Sequence, residues 1–371
     1  MAYVAVKGGQ KAIEESVKRL KYERLKKGKL IKIKEIESGM RGLIDQVMSE
    51  ASLYDEELAA IAIKQAEGNP EEVVFLLRAF RSTLPRKHYS RIVESEEMAV
   101  VRRISASFKD IPGGQILGAS YDYTHRLIDF GLREEEKEKD YVNHWLEDYQ
   151  RSVAKLPIVE DSPTAIRVPK VMDYLRKEGI AIIHENNNQE PEDITKEALK
   201  FPTTRSERLQ ILTRGQTGAV TALGYASLRG FGSVHPTVGE LRVGELPIYI
   251  DSPFDETNSP DNSYYIGSVR VTEVESIIPT SITKPDGMKE QRLDIGYGIC
   301  FGQNETKAIA MSILDRCLEE PSNVPTHNEE FVLYHIDSVE ATGFISHLKL
   351  PHYVTFQAEL DSVRKTQKEG L

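Results

Sequence analysis

The sequence has too few cysteines for any cysteine-built framework. Cys300 and Cys317 are the only two among 371 residues. That excludes a disulfide scaffold, and it excludes an iron–sulfur cluster held by three or four thiolates of this chain. Both read as buried thiols. Long apolar runs are missing too: no stretch approaches the ~18–20 residues that span a bilayer. The N-terminus carries no signal-peptide pattern, so the expectation is a cytoplasmic chain with no membrane partner. Positive charge is not in excess. The net charge is −10, which argues against nonspecific binding of nucleic acid. Signature motifs are absent as well. There is no G-x-S-x-G elbow and no complete G-x-x-x-x-G-K-[ST] loop. Gly296 and Gly298 lack the third glycine and the downstream acid of a dinucleotide fingerprint.

What is present is an ordinary globular composition, 40% hydrophobic and 29% charged, enough to bury a substantial core. Ile13, Val17 and Leu20 recur at helical spacing, and residues 40–48 continue the pattern. Asp55 is placed to cap a helix over 56–66 that Gly68 stops. Pro70 opens another over 71–84, with Val73, Val74, Leu77 and Phe80 apolar and Arg78 and Arg81 one turn apart. These features predict packed helices over roughly the first 85 residues. Tyr3 to Val6 reads as a short strand. Ile104, Ala106 and Phe108 alternate like another. Residues 134–140 are a charged run, an exposed helix or linker, and 186–191 a surface loop. Further on, 220–227 reads as a helix, and 240–271 as strands broken at 251–255 and 259–262. Residues 296–302 look like a strand entering a turn, and Asn304 is placed to cap a helix over 305–318. Phe331 to Tyr334 reads as a strand and 357–367 as a polar helix. The fold class is α+β: a helical N-terminal part followed by a mixed α/β C-terminal part with antiparallel strands. Three regions are expected. Residues 1–135 form a mainly helical part with a glycine-rich loop, 136–200 a variable connection, and 201–371 an α+β part.

Several stretches carry candidate chemistry. His347 and His352 have a spacing inside the range of zinc pairs. In a regular helix an i, i+5 pair diverges by roughly 140°. Convergence therefore needs a turn, which Leu350 and Pro351 can supply. Two imidazoles are half a coordination sphere, and a purely structural pair is the alternative. Residues 102–130 combine turn glycines, Gly113 and Gly114, with Tyr121, Asp122, Tyr123, His125, Arg126 and Asp129. That mixture suits a binding loop; packing and structural hydrogen bonds are the alternative. Lys7, Gly8 and Gly9 make either a tight turn into a helix or a small phosphate cradle. Basic residues between Lys18 and Lys34 form a solvated face or meet an acidic partner.

Taken together, some of these residues carry a family resemblance. The matching stretches are 3–9, 75–79, 109–115 and 121–127, then 296–298, 329–333 and 343–353. In this order they resemble the I-subunit family of the bacterial carbon–phosphorus lyase core complex, PhnI. The resemblance implies a role in phosphonate use. With companion subunits, a phosphonate oxygen displaces adenine from ATP at ribose C1′, giving a ribose 1-phosphonate 5-triphosphate. Alone, such a chain resembles a purine nucleosidase. Cleavage of the C–P bond falls to a different subunit, one with an iron–sulfur cluster. His347 and His352 match the family's histidine pair, which implies zinc shared with that radical subunit. Breaking an N-glycosidic bond passes through an oxocarbenium-like state. By residue type, Asp110, Asp122 and Asp129 are candidates to stabilise the cation, and His125 to protonate adenine. Lys7, Gly8, Gly9, Gly113, Gly114, Tyr121, Arg126, Arg205 and Arg208 are candidates to bind ATP, with Mg²⁺. The rival reading is a non-catalytic scaffold that supplies two metal ligands to the radical subunit.

Overall fold

The computed structural model describes residues 8–153, 168–184, 189–231, 235–254, 262–320 and 322–369. The expected strand at Tyr3 to Val6, Lys7, and residues 186–188 of the loop at 186–191 lie outside the described residues.

The chain opens with five helices: α1 (Gly9–Leu25), α2 (Ile33–Gly39), α3 (Arg41–Ala51), α4 (Glu56–Gln65) and α5 (Pro70–Arg81). Local chemistry sets their ends. Asp55 accepts a hydrogen bond from the Leu58 amide at 2.8 Å, and Asn69 from that of Glu72 at 2.9 Å. Pro70 occupies the first turn of α5, where its missing N–H costs nothing. Helices α2 to α5 enclose an apolar core that includes Ile44, Met48, Ile63, Val74 and Leu77. Helix α1 departs from the expected packing: it buries no residue, and Val17 and Leu20 are exposed. Helical spacing reports the period of a segment and is silent on whether anything covers the stripe.

One four-stranded antiparallel sheet follows, in the order β1 (Ala99–Ile104), β2 (Thr237–Asp251), β3 (Ser263–Thr283), β4 (Lys289–Phe301). The alternation expected to reach Phe108 stops at Ile104. The Ser105 hydroxyl donates to the Gly239 carbonyl at 2.7 Å and accepts from the amides of Ser107 and Phe108, turning the chain out of the ladder. Between β1 and β2 lie α6 (Glu135–Val153), α7 (Val171–Lys177), α8 (Arg205–Arg214) and α9 (Thr217–Ala226). After β4 come α10 (Glu305–Glu319), α11 (Glu329–His335), α12 (Ser338–His347) and α13 (Tyr353–Glu369).

The two faces of the sheet differ in kind. One is apolar: Leu241, Val243, Val274 and Cys300 pack with Ala308, Met311 and Leu314 of α10. Helix α10 lies so close to β4 that a Cβ at Gly296 would sit 2.0 Å from the Ser312 carbonyl oxygen, and one at Gly298 2.1 Å from that of Ala308. The other face carries charge. Glu240 and Arg242 on β2 stand beside Glu275 and Glu273 on β3, Tyr297 pairs with Glu275 from β4, and Arg103 pairs with Arg242 from β1. Arg103 and the four other charged side chains are buried.

Two further expectations are corrected. The segment expected as a strand at Phe331 to Tyr334 is helix α11. Asn328 caps it by accepting from the Phe331 amide at 2.8 Å, and Val332 and Leu333 face the core. A four-residue apolar run does not discriminate helix from strand by period. Asn304 sits at the N-cap of α10, but its side chain does not cap the helix. It donates instead to the carbonyls of Asp45, at 3.0 Å, and Phe301, at 2.6 Å. Helix α6 is exposed along its length and carries Trp145, stacked on Tyr149 with ring centroids 5.3 Å apart.

Candidate functional site

A cleft on the charged face of the sheet encloses about 930 Å³. β3 and β4 supply Glu275, Ile295, Tyr297, Ile299 and Phe301. Lys170 and Arg176 come from the start and body of α7, Arg205 and Gln210 from α8, and Ile182, Ile183 and Asp193 from the segments between. The position of α7 follows from the sheet: Glu240 accepts from the Val171 amide at 2.9 Å and from Arg103 at 2.5 Å. A carboxylate thus meets the positive end of a short helix.

Charge in this row is unevenly satisfied. Glu273 accepts from Lys170 at 2.9 Å, from the Tyr297 hydroxyl at 2.9 Å and from Arg242 Nε at 3.0 Å. Burial alone would raise its pKa, but Arg242 and Lys170 overrule burial and hold it at about 2. Burial, with Glu273 beside it, drives the Tyr297 phenol well above its ordinary value. Glu275 is different. Its Oε1 accepts from Arg176 at 2.5 Å, while its Oε2 has no hydrogen-bond partner among the described residues. Here burial outweighs Lys170 and Arg176, and the carboxyl titrates above its usual range. At the other wall, Arg205 pairs with Asp315 through two nitrogens, at 3.0 and 2.6 Å, and Asp315 also accepts from the Tyr297 amide at 3.0 Å.

Of the residues selected from the sequence, Arg205 alone lines this cleft. Arg208 is buried, donating to the Thr203 carbonyl at 3.1 Å and pairing with Glu319. The segment 110–129 forms an exposed surface of its own. Asp110 and His125 are exposed there. Asp122 accepts from Arg102 at 2.6 Å and from Arg126 at 3.4 Å. Arg126, with φ 54°, also donates to the Tyr121 carbonyl at 3.2 Å. Asp129 caps a 3₁₀ turn through the Gly131 amide at 2.8 Å. Gly113 and Gly114 both have positive φ, in a turn held by Arg103 through the carbonyls of Pro112, at 2.5 Å, and Gly114, at 3.2 Å. Gly8 and Gly9 start α1, also with positive φ. The cleft residues Lys170, Glu275 and Tyr297 were not singled out. Their trace in the sequence is E-L-R at 240–242 and T-E-V-E at 272–275, charge at every second position of a strand.

The histidine pair converges. His347 ends α12, His352 precedes α13, and a turn through Leu350 brings the ring centroids to 5.4 Å at 60°. Nδ1 of His352 lies 2.5 Å from the Leu350 carbonyl oxygen, and Nδ1 of His347 bonds that of Phe344. Donation from each Nδ1 leaves Nε2 with its lone pair, the usual arrangement of a metal-binding histidine. The His352 ring is exposed and that of His347 is half-buried, and no cluster of three or more metal-binding side chains occurs among the described residues. The pair fits half of a zinc sphere.

The chain is thus an α+β protein with a cleft over a buried ionic row and, apart from it, a converging histidine pair. Residues 2–370 match the family described as bacterial phosphonate metabolism protein (PhnI), and the chain belongs to that family. It is 42% identical to a putative C-P lyase subunit protein, HtxH, of Stutzerimonas stutzeri, over 100% of this chain and 97% of the relative. It is 40% identical to the alpha-D-ribose 1-methylphosphonate 5-triphosphate synthase subunit PhnI of Rhizobium meliloti, over 99% of this chain and 95% of that one. The corresponding subunit of Escherichia coli is also 40% identical, over 99% of both chains.

Proposed function

We propose that this chain is the subunit that displaces adenine from ATP with a phosphonate oxygen, forming a ribose 1-phosphonate 5-triphosphate within a cytoplasmic multi-subunit complex. The observation that carries this reading is 40% identity, over nearly the whole of both chains, to subunits named for synthesis of that product. Without companions, water replaces the phosphonate and the chain acts as a purine nucleosidase. The reaction needs a carboxylate beside the ribose cation, a proton for the base, and cations with Mg²⁺ for the triphosphate. One placement of these parts is the exposed 110–129 surface, with Asp110, Asp122 or Asp129 as carboxylate and His125 as acid. Gly113, Gly114, Tyr121 and Arg126 would then bind ATP. In the test, adenine is measured chromatographically after ATP is added to the chain alone, and again with companion subunits and methylphosphonate. Release in either case is expected, and none in both sinks the reading.

The converging histidine pair favours a second role beside the first. His347 and His352 supply two ligands of a zinc ion whose remaining ligands belong to the iron–sulfur radical subunit. Zinc content of the assembled complex should fall in His347→Ala and His352→Ala. Full zinc occupancy in both variants removes the role.

A further inference from the structure

The cleft on the charged face of the sheet is not accounted for by the 110–129 surface or by the histidine clamp. Its floor holds an anomaly. Every described carboxylate in the row is committed except one oxygen. Glu273 is held by Lys170, Arg242 and Tyr297, and Glu240 by Arg103 and the Val171 amide. Glu275 is only 4% exposed, lines the cleft, and leaves Oε2 without a partner. A buried oxygen left so costs stability of the order of ~1–3 kcal/mol. Such a cost is retained where the group has work to do.

The chemistry under discussion needs a group of this kind. When the C1′–N9 bond breaks, its electron pair goes to the purine, which leaves easily only if a proton arrives. A carboxyl in water is ionised at neutral pH and cannot supply one; a carboxyl sheltered from water keeps its proton more readily. The cleft also has the size of a small-molecule site, about 930 Å³. Ile295, Ile299 and Phe301 offer an apolar wall to a base, and Lys170, Arg86 and Arg205 line the cleft as cations that a triphosphate would share with their partners Glu273, Asp193 and Asp315.

We propose that this cleft, in place of the 110–129 surface, holds a purine nucleoside triphosphate and that Glu275, in place of His125, is the general acid that protonates the departing base; the assignment rests on the purine-displacement reading above and not on that reading's placement of the parts. In the step, the Glu275 proton passes to a ring nitrogen of the purine and the C1′–N9 bond breaks toward the base. A phosphonate oxygen, already anionic, forms the new bond to C1′. Adenine leaves neutral and Glu275 is left as carboxylate. With water as nucleophile, the proton released from water restores the acid. The groups facing Glu275 are Lys170 and Arg176 from the α7 side, Glu240 and Arg242 from β2, Glu273 from its own strand and Tyr297 from β4. Burial prevails over the two neighbouring cations and keeps the carboxyl protonated to higher pH than an ordinary glutamate.

The test uses the full chain, alone and with companion subunits. Glu275→Gln keeps shape and size but cannot deliver a proton. Adenine release should fall by about 100-fold or more, with ATP affinity by calorimetry retained. The loss of activity that wild type shows as pH rises through the Glu275 pKa should vanish. Ile183, 65% exposed on the cleft wall, offers a variant that leaves the core intact. Ile183→Trp should weaken ATP binding by about tenfold or more. Release within about threefold of wild type in Glu275→Gln, with an unchanged pH profile, overturns the acid assignment alone. Unchanged ATP affinity in Ile183→Trp overturns the location. Wild type that releases no adenine in any mixture overturns the reaction, and the assignment with it.

Discussion

Arg78 ties the N-terminal helices to the rest of the chain. From α5 its guanidinium donates to the Glu50 carbonyl at 3.0 and 2.8 Å, to the Arg214 carbonyl at 3.1 Å and to Asp337 at 2.5 Å. Arg81, one turn on, donates to the Ala51 carbonyl at 2.7 Å. Their shared face was legible from spacing alone, because i and i+3 lie together on a helix. Their partners were not, since Asp337 lies 259 residues away. Arg78→Met should cost about 3–5 kcal/mol, because Asp337 and two carbonyls lose their donor. The measurement is the urea midpoint at unchanged m. Arg78→Lys should not rescue it, since one ammonium cannot reproduce the planar fork. A midpoint at the wild-type value in Arg78→Met would show that the bonds contribute nothing net.

At the scale of elements, caps and turns were the most readable part of the sequence. Asp55, Pro70 and Gly68 sit where their chemistry places them because each acts on its immediate neighbours. Alternation also found β2 and β3. It gave which residues share a face and not what covers that face. The charges at Glu240, Arg242, Glu273 and Glu275 do not show in the sequence whether they are covered; Arg103 and α7, distant in sequence, bury them. The candidate site escaped notice for the same reason: no single stretch contains it. The pair Gly296 and Gly298 has a plainer role than a nucleotide loop. Both let α10 rest against the backbone of β4. Gly298→Ala should therefore destabilise the fold by about 1–3 kcal/mol through overpacking. Gly287→Ala, at a turn with open space and φ 81°, meets no neighbour and isolates the backbone cost. Equal thermal shifts in the two variants would argue against close packing as the cause.

For the whole molecule, the ionic face makes stability depend on pH in two opposed ways. Glu273 has a folded pKa of about 2, against roughly 4.3 in an unfolded chain. Its contribution is present above the unfolded value and is lost as pH falls through the folded one; it amounts to about 3 kcal/mol. Glu275 has a raised folded pKa, so its contribution is present at low pH and lost as pH rises. Unfolding free energies measured from pH 6 down to about 2 should decline in wild type and decline much less in Glu273→Gln. Parallel curves would mean that the row does not govern acid stability.

The lone tryptophan has a practical consequence. Trp145 sits on α6, 54% exposed, far in kind from the buried sheet and its helices. Its emission already reports a watery surrounding in the native state. A melt followed by tryptophan fluorescence would register the fraying of one outlying helix and pass silently over the collapse of the core. Tyr297, on β4 with its hydroxyl bonded to the buried Glu273, is the better spectroscopic witness, and near-ultraviolet dichroism of the tyrosines is the signal to follow.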